Sequence, residues 1–257
     1  MVRGLYTAYT GMVNEQKRLD IISNNLANSA TIGYKAENVT STSFKDMIAT
    51  KIRDGSCGYV DQPIGTMNLG VKIGETYMDW GQGSLRETEN TYDLAIQGDG
   101  FFEMKVLDEN GNANMMYTRN GKFIMTAEGC LVDSDGNHLQ GANGDVHIPV
   151  DAADVGIKLD GSVYADGVKV DTIELVDFAD YAYLELYGKN MYRAVDGAVA
   201  MKANGTTLQG FLEQSNVNVI DQMVSMITIT RAYETNQKMI QTQDNLIGKA
   251  VSDVGRV

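Results

Sequence analysis

The sequence predicts an α+β protein: an N-terminal and a C-terminal α-helix packed as a coiled-coil stalk, with a central antiparallel β domain and an extended connector. Three observations predict this class. Apolar residues recur at helical spacing at both ends, turn-forming Asx-Gly pairs punctuate the middle, and a glycine-rich interval follows neither pattern. We divide the 257 residues into an N-terminal stalk helix (1–35), a connector (36–90), a β-rich domain (91–205) and a C-terminal stalk helix (206–257).

The N-terminal helix is predicted from apolar residues whose separations are sums of three and four, which places them on one helical face. These residues are Leu5, Tyr9, Met12, Leu19, Ile22 and Leu26. Gly4 and Gly11 each weaken the helix by about 1 kcal/mol relative to alanine. The helix is expected to end in the polar segment from Asn24 to Gly33, because Asn and Gly tolerate the left-handed conformation that stops helices.

The C-terminal helix is predicted to begin at Asn218, whose side chain can cap it, with Asp221 reaching back. A heptad seam then follows: Val219, Met223, Met226, Thr230, Tyr233, Gln237, Ile240, Asp244 and Ile247. A second apolar stripe, formed by Ile220, Val224 and Ile227, lies beside it. One partner helix would cover the first stripe only, so we expect a neighbouring copy to cover the second. Each end helix is expected to be about 40–45 Å long.

The middle of the chain is predicted to be antiparallel β structure from Thr91 to Phe178, with residue 205 as an alternative end. Asx-Gly pairs supply the positive φ values that tight hairpins need, and the segment Phe102–Val106 alternates apolar and polar residues. The Gly98-Asp99-Gly100 run is interpreted as a turn and not as a nucleotide loop. The Asp133–Asn137 run is likewise interpreted as a hairpin turn and not as a calcium loop. One or two strands are expected around Gly70–Tyr77.

Bulk charge and hydropathy exclude several classes of partner. The formal net charge of −13 argues against nucleic acid and against an anionic membrane surface, since both repel an acidic protein. No apolar run of about 18 residues occurs, so no membrane insertion is expected. The segment Met1–Thr10 has no apolar core of a cleaved signal peptide, so any export is expected to proceed without one.

No cofactor, metal or catalytic site is predicted. The two cysteines, Cys57 and Cys130, are far apart in sequence and lack zinc spacing, and the two histidines, His138 and His147, have no cysteine partner at ligand spacing. Two buried thiols are favoured over a disulfide, and pairing stays open. No serine-nucleophile elbow occurs.

Several runs together strongly resemble the family of bacterial flagellar rod and hook proteins. The N-terminal run Ile22-Ser23-Asn24-Asn25-Leu26-Ala27-Asn28, followed by Gly33-Tyr34-Lys35, is similar to the signature of that family. Its motif positions here are Asn24, Asn25, Ala27, Asn28, Gly33 and Tyr34. Five further runs are similar to the same family, in order along the chain: Asp93–Phe102, Tyr117–Gly121, Tyr187–Tyr192, Leu212–Asn218 and Thr230–Glu234. Chain length and connector most resemble the distal rod type, and a related rod subunit or a hook subunit is the alternative.

The resemblance implies a structural subunit, not an enzyme, that self-assembles into a helical tube, transmits torque and encloses the export channel. It implies type III export without a cleaved signal and a place in the flagellar basal body of the cell envelope. The implied partners are further copies, neighbouring rod and hook subunits and the export apparatus, with no cofactor. A wall-acting enzyme or a carbohydrate-binding module is less well supported, because both leave the striped end helices unused.

The predicted assembly interface collects the apolar residues of both end helices: Leu5, Tyr9, Met12, Leu19, Ile22, Leu26, Val219, Ile220, Met223, Val224, Met226, Ile227, Tyr233 and Ile240.

Overall fold

The computed structural model of the chain describes residues 2–51, 62–107, 113–152, 154–188 and 190–255. The chain divides into two compact units. The first, here called the helical unit, comprises Met1–Ala27, Glu37–Met78 and Asn218–Val257. The second, here called the β unit, comprises Asn28–Ala36 and Asp79–Val217. This architecture confirms the predicted combination of two terminal helices with a central antiparallel β region.

Two long helices dominate the helical unit, α1 (Val2–Ala27) and α2 (Val219–Val254). Their 26 and 36 residues correspond to about 39 and 54 Å. The predicted cap of α2 is confirmed, because the Asn218 side chain accepts a hydrogen bond from the Ile220 N–H at 3.1 Å. Asp221 does reach back, but it accepts from the Asn218 side-chain amide at 2.6 Å and not from a backbone N–H.

Four strands complete the helical unit: β1 (Glu37–Ser43), β2 (Met47–Lys51), β3 (Gln62–Met67) and β4 (Val71–Met78). β1 pairs antiparallel with β4, and β2 pairs antiparallel with β3. The strand expected around Gly70–Tyr77 is therefore confirmed as β4, but the connector holds more strands than predicted. The exposure of Ile48 and Ile64, both near 70%, gives the physical reason, since strands without a buried face show no alternation. Cys57 and residues 52–61 lie outside the described residues.

α1 and α2 run antiparallel, and their contact follows the small residues of α1. Gly4 lies against the Gln243 side chain, and Gly11 lies against Asn236. Ile229 of α2 is only 3% exposed. The absence of a side chain on the two glycines lets the long amide groups of the facing helix approach closely.

The predicted seam of α2 is partly wrong as a result. Met223 is 49% exposed, and Thr230, Gln237 and Asp244 are exposed as well. The remaining seam positions are half-buried: Val219, Met226, Tyr233, Ile240 and Ile247. The pattern of apolar residues on α2 does not show which side of that helix contacts α1. The glycines of α1 determine where α2 can approach closely, and they face polar residues of α2.

The β unit is built almost entirely of short antiparallel strands. They are β5 (Leu85–Glu87), β6 (Leu94–Gln97), β7 (Phe101–Leu107), β8 (Ala113–Thr118), β9 (Ile124–Met125), β10 (Leu131–Val132), β11 (His138–Gly141), β12 (Gly144–Asp145), β13 (Val155–Ile157), β14 (Ser162–Ala165), β15 (Val168–Thr172), β16 (Leu175–Phe178), β17 (Leu184–Tyr187), β18 (Met191–Ala194), β19 (Ala200–Lys202), β20 (Thr206–Gln209) and β21 (Phe211–Glu213). In the described residues ten of them form one sheet along the path β17-β18-β8-β7-β11-β10-β9, with β12, β16 and β19 attached. β structure thus continues well past Phe178.

Local turns were predicted better than strand partners. The turn at Gly136 (φ 85°) joins β10 to β11, and Asp166 and Gly167, both at positive φ, join β14 to β15. Gly98 and Gly100 likewise form a turn after β6. However, β6 pairs with β20 and not with the strand that follows it. The largest apolar core of the unit is formed by Leu94, Ile96, Phe102, Met104, Phe123, Leu131, Leu139, Val146, Ile148, Val155, Ile157, Val163, Ala165, Ile173 and Leu175.

Candidate assembly surfaces and the buried polar cluster

The predicted assembly residues fall into two groups in the structure. Nine are half-buried within the helical unit: Leu5, Met12, Leu19, Ile22, Leu26, Val219, Met226, Tyr233 and Ile240. The other five are exposed: Tyr9, Ile220, Met223, Val224 and Ile227. Only the exposed group has apolar surface of the kind that a further chain can cover.

Four of the exposed residues form one continuous surface on α2, here called the α2 stripe: Ile220, Met223, Val224 and Ile227. Their exposed fractions are 72%, 49%, 59% and 55%. Their spacing of i, i+3, i+4 and i+7 aligns them along one helical face. That face lies about half a turn around α2 from Ile229, the residue buried against α1. Ile220, Met223 and Ile227 therefore point away from the helix pair, whereas Val224 lies at the edge of the stripe and lines a pocket with Glu15 and Arg18 of α1.

An apolar groove of about 210 Å³ lies on the other side of the helical unit, between α1 and the β1–β4 pair. This α1 groove is lined by Tyr9, Thr10, Val13, Asn14, Phe44, Val71, Lys72 and Ile73. Tyr9 is 52% and Val13 36% exposed. Two hydrogen bonds hold α1 beside the neighbouring segments at this groove. The Ser41 hydroxyl donates to the Asn14 side chain at 3.0 Å. The Thr7 hydroxyl donates to the Leu69 carbonyl at 3.3 Å.

Asn25 holds the start of β1 beside the end of α1. Its side-chain amide donates to the Glu37 carbonyl at 2.7 Å, and its side-chain oxygen accepts from the Glu37 N–H at 3.0 Å. The amide thus pairs with Glu37 as a neighbouring strand would, and Asn25 is 1% exposed. An aspartate could accept one of these bonds but could not donate the other, so an amide is needed here to make both.

Gly33 of the motif lies at a crowded backbone position in the β unit. Its φ is +69°, a conformation that side chains rarely allow. A Cβ atom here would lie 2.5 Å from the backbone carbon of Arg119. The Gly33 N–H donates to the Glu213 carbonyl at 2.9 Å. Glycine is therefore required both by conformation and by space.

A buried ionic cluster lies directly beside this contact. The Lys35 ammonium donates to Glu213 Oε1 at 2.7 Å, and Arg119 donates to Glu213 Oε2 at 3.3 Å. Glu213 Oε1 also accepts from the Gly83 N–H at 2.9 Å. The side chains of Lys35 and Glu213 are each 1% exposed, and that of Arg119 is 4% exposed. Burial chiefly lowers the pKa of Lys35, and the neighbouring Arg119 charge lowers it further.

Asn216 connects three separate segments of the β unit next to the cluster. Its side-chain oxygen accepts from the Ala36 N–H at 2.8 Å, and its amide donates to the Asp79 carbonyl at 2.8 Å and to the Gly81 carbonyl at 3.2 Å. Tyr34, Ala36 and Val217 pack together as a small apolar core at the same place. Together these contacts join the segment that follows α1 to the segment that precedes α2.

Sequence reasoning missed this cluster, although its members stand in the motif runs that carried the resemblance. Lys35 and Glu213 are 178 positions apart, and Arg119 and Glu213 are 94 positions apart. The only available signal was one charged residue in each run, which by itself predicts no pairing. Only the fold brings the three side chains together.

Among the described residues, no group of three side chains that could hold a metal ion comes together. His138 and Lys105 both contact Asp145, at 3.5 and 3.2 Å, in a half-exposed cluster on the sheet. The hydrogen bond from Gln140 is the main reason why the pKa of Asp145 is lowered. Neither described helix is long and apolar enough to cross a membrane.

Three family profiles match the chain. Residues 5–35 match "Flagella basal body rod protein", residues 95–165 match "Flagellar hook protein FlgE/F/G D1 domain", and residues 208–253 match "Flagellar basal body rod FlgEFG protein C-terminal". The first contains Asn25, Gly33, Tyr34 and Lys35, and the last contains Glu213 and the α2 stripe.

Relatives also match over almost their whole length. The flagellar basal-body rod protein FlgG of Bacillus subtilis is 37% identical over 98% of this chain and 99% of its own. FlgG of Caulobacter vibrioides is 34% identical over 96% of this chain and 97% of its own. The flagellar basal-body rod protein FlgF of Caulobacter vibrioides is 32% identical over all of both chains.

Proposed function

The chain belongs to the family of flagellar basal-body rod proteins and is a structural subunit of the distal-rod type, and we propose that it acts as a helical homopolymer. Copies associate through the outward surfaces of the helical unit. The exposed α2 stripe is the observation that carries this proposal. Fully burying one Val, Ile or Met side chain is worth roughly 1.5–3 kcal/mol, so covering four such residues is a substantial driving force.

The two helices are proposed to pack as a coiled-coil stalk. Gly4 and Gly11 are seven residues apart, and so are their partners Asn236 and Gln243 in the opposite direction. A seven-residue repeat of contacts on both helices is the spacing of a coiled coil. Polar residues at such positions fix helix register at some expense of stability.

The tube formed in this way transmits torque and encloses the export channel, and its subunits are exported by the flagellar type III apparatus without a cleaved signal. Neighbouring rod and hook subunits are its axial partners in the basal body. The structural character of the family supports a role without catalysis. The FlgF-type rod subunit remains the second candidate, supported by the full-length similarity to a FlgF relative.

Motility and export of an Ile227→Asp variant test the proposal. The new carboxylate would lie at the surface of a single subunit but unpaired inside an assembled contact, which is costly. We expect normal export, no assembled rod and non-motile cells. Asp160→Asn is the matched control, since Asp160 lies in the turn after β13 in the β unit and its change removes one charge. Normal motility with Ile227→Asp, or loss of motility with Asp160→Asn, would contradict the proposal.

A subunit-specific label on isolated basal bodies separates the two candidates. Label along the distal part of the rod fits the distal-rod type. Label restricted to another segment of the rod would favour the FlgF-type subunit instead.

A further inference from the structure

We infer that copies of this chain join head to tail, with the α2 stripe of one copy seated in the α1 groove of the next. The inference rests on the proposed function, because it names the two surfaces through which the homopolymer forms. Both surfaces belong to the helical unit, and both are apolar in the residues that the structure describes.

The two surfaces face in different directions. Ile220, Met223 and Ile227 of the α2 stripe lie on the side of α2 that is turned away from α1, with Val224 at the edge of that side. Tyr9 and Val13 lie on the side of α1 that is turned away from α2. They are also offset along the helices. Gly11 lies opposite Asn236, and the middle of the stripe is about 12 residues from Asn236, or about 18 Å. One unit can therefore use both surfaces at once, for two different neighbours.

The groove and the stripe also match in size and chemistry. A cavity of about 150 Å³ is large enough for benzene, so the groove of about 210 Å³ accommodates an Ile or Met side chain. Laying an apolar helix face into an apolar groove is a recurrent mode of recognition, with anchors at i, i+3, i+4 and i+7. The α2 stripe presents that anchor spacing.

The distribution of charge favours a second copy as the occupant. The helical unit contains eleven basic and eleven acidic residues, so its formal charge is zero. The β unit contains ten basic and twenty-three acidic residues and carries the whole charge of −13. A contact between two helical units, where both surfaces lie, therefore carries no net repulsion, whereas two β units repel each other.

A contact between two different surfaces is heterologous and leaves one of each surface unused at the ends. Such a contact extends into an open helical filament, whereas a contact of one surface with itself closes into a dimer. Head-to-tail pairing thus supplies the directional growth that a rod requires.

The test pairs two full-length variants, each with one blocked surface. Tyr9→Asp blocks the groove, and Ile227→Asp blocks the stripe. In sedimentation velocity the wild-type chain should form species larger than dimers, while each variant alone stays monomeric. An equal mixture of the two should form dimers, because one intact groove meets one intact stripe. A chain carrying both Tyr9→Asp and Ile227→Asp has no intact surface and should associate with neither single variant.

Disulfide capture detects the same contact when it is weak. In a chain carrying Cys57→Ser and Cys130→Ser, Val13→Cys and Val224→Cys are placed on separate proteins. Oxidation of the mixture should produce disulfide-linked dimers. Oxidation of either protein by itself should produce only background levels of them. Cross-linking of either protein with itself would overturn the head-to-tail inference but keep the homopolymer. If the wild-type chain does not associate and the mixture gives no disulfide-linked dimer, both the head-to-tail inference and the homopolymer are overturned.

Discussion

Replacing Glu213 by glutamine should destabilise the β unit far more than any surface charge change. The isosteric Glu213→Gln variant retains the shape of the side chain but leaves the Lys35 and Arg119 charges buried without an anion, at sites 1% and 4% exposed. Removing one partner of a buried ion pair costs about 3–5 kcal/mol. For a unit of this size that loss lowers Tm by roughly 6–20 °C.

Fluorescence of Trp80 during urea unfolding measures the effect. Trp80 is the only tryptophan of the chain, and its ring packs against Phe101, Tyr181 and Tyr192 of the β unit. The matched control is Glu185→Gln, whose exposed partner Arg193 lies 2.6 Å away. An exposed pair of this kind contributes about 0–1 kcal/mol, so the control should unfold almost as the wild-type chain does.

The pH dependence of the variant provides a further check. The pKa of Lys35 is already lowered in the folded chain, mainly by burial, and loss of Glu213 lowers it further. Between that pKa and the unfolded value the native state binds fewer protons than the unfolded state, so stability rises with pH. This range begins at a lower pH in Glu213→Gln than in the wild-type chain, so the deficit of the variant should shrink as pH rises through the interval between the two Lys35 pKa values. A deficit below about 1 kcal/mol at pH 7, in the range of a surface pair, would refute the reasoning.

Three further outcomes are expected. Burial, with smaller effects of Glu103 and Asp177, raises the pKa of Tyr117 and Tyr181 to about 12. The stability that these phenols contribute should be lost as pH rises from 10 through 12, and phenolate absorbance of Tyr181→Phe should show one late-titrating tyrosine fewer. Calcium, zinc and common nucleotides should not raise Tm, and a saturable increase would contradict the absence of a ligand site. In dilute monomer, amides of α1 and α2 should exchange faster than those of β7 and β11, and slow exchange in both helices would contradict an incomplete helical unit.

The choice of controls itself depends on the structure. In the sequence, Asp133 and Asp160 both stand in or near an Asp-Gly pair, and nothing there favours one over the other as a control. In the structure Asp133 is 4% exposed and accepts hydrogen bonds from the Ser134 N–H at 2.6 Å and from the Asn120 side chain at 3.3 Å. The pKa of the Asp133 carboxyl is raised, and burial is the main cause. Asp160→Asn is therefore the cleaner control for motility.

Local rules were sufficient for the elements that depend on neighbouring residues. The cap at Asn218, the helix end before Gly33 and the turn at Gly136 follow from side-chain bonding and backbone freedom over a few positions. The family could also be recognised, because its motif runs are continuous in sequence. Ile220, Val224 and Ile227 of the α2 stripe were likewise predicted as an outward surface from their spacing alone, whereas Met223 was predicted to lie in the seam and is exposed.

Contacts between distant segments were decided only by tertiary structure. Asn236 and Gln243 face α1 because Gly11 and Gly4 leave room there, a fact about the other helix that the pattern of α2 does not contain. β6 pairs with β20 because the whole β unit must close, and Lys35 meets Glu213 for the same reason. The sequence by itself determined the two terminal helices, the central antiparallel β region with its turns, and the family that they indicate. Tertiary packing determined which faces meet, since burial depends on the shape of a partner that lies far away along the chain.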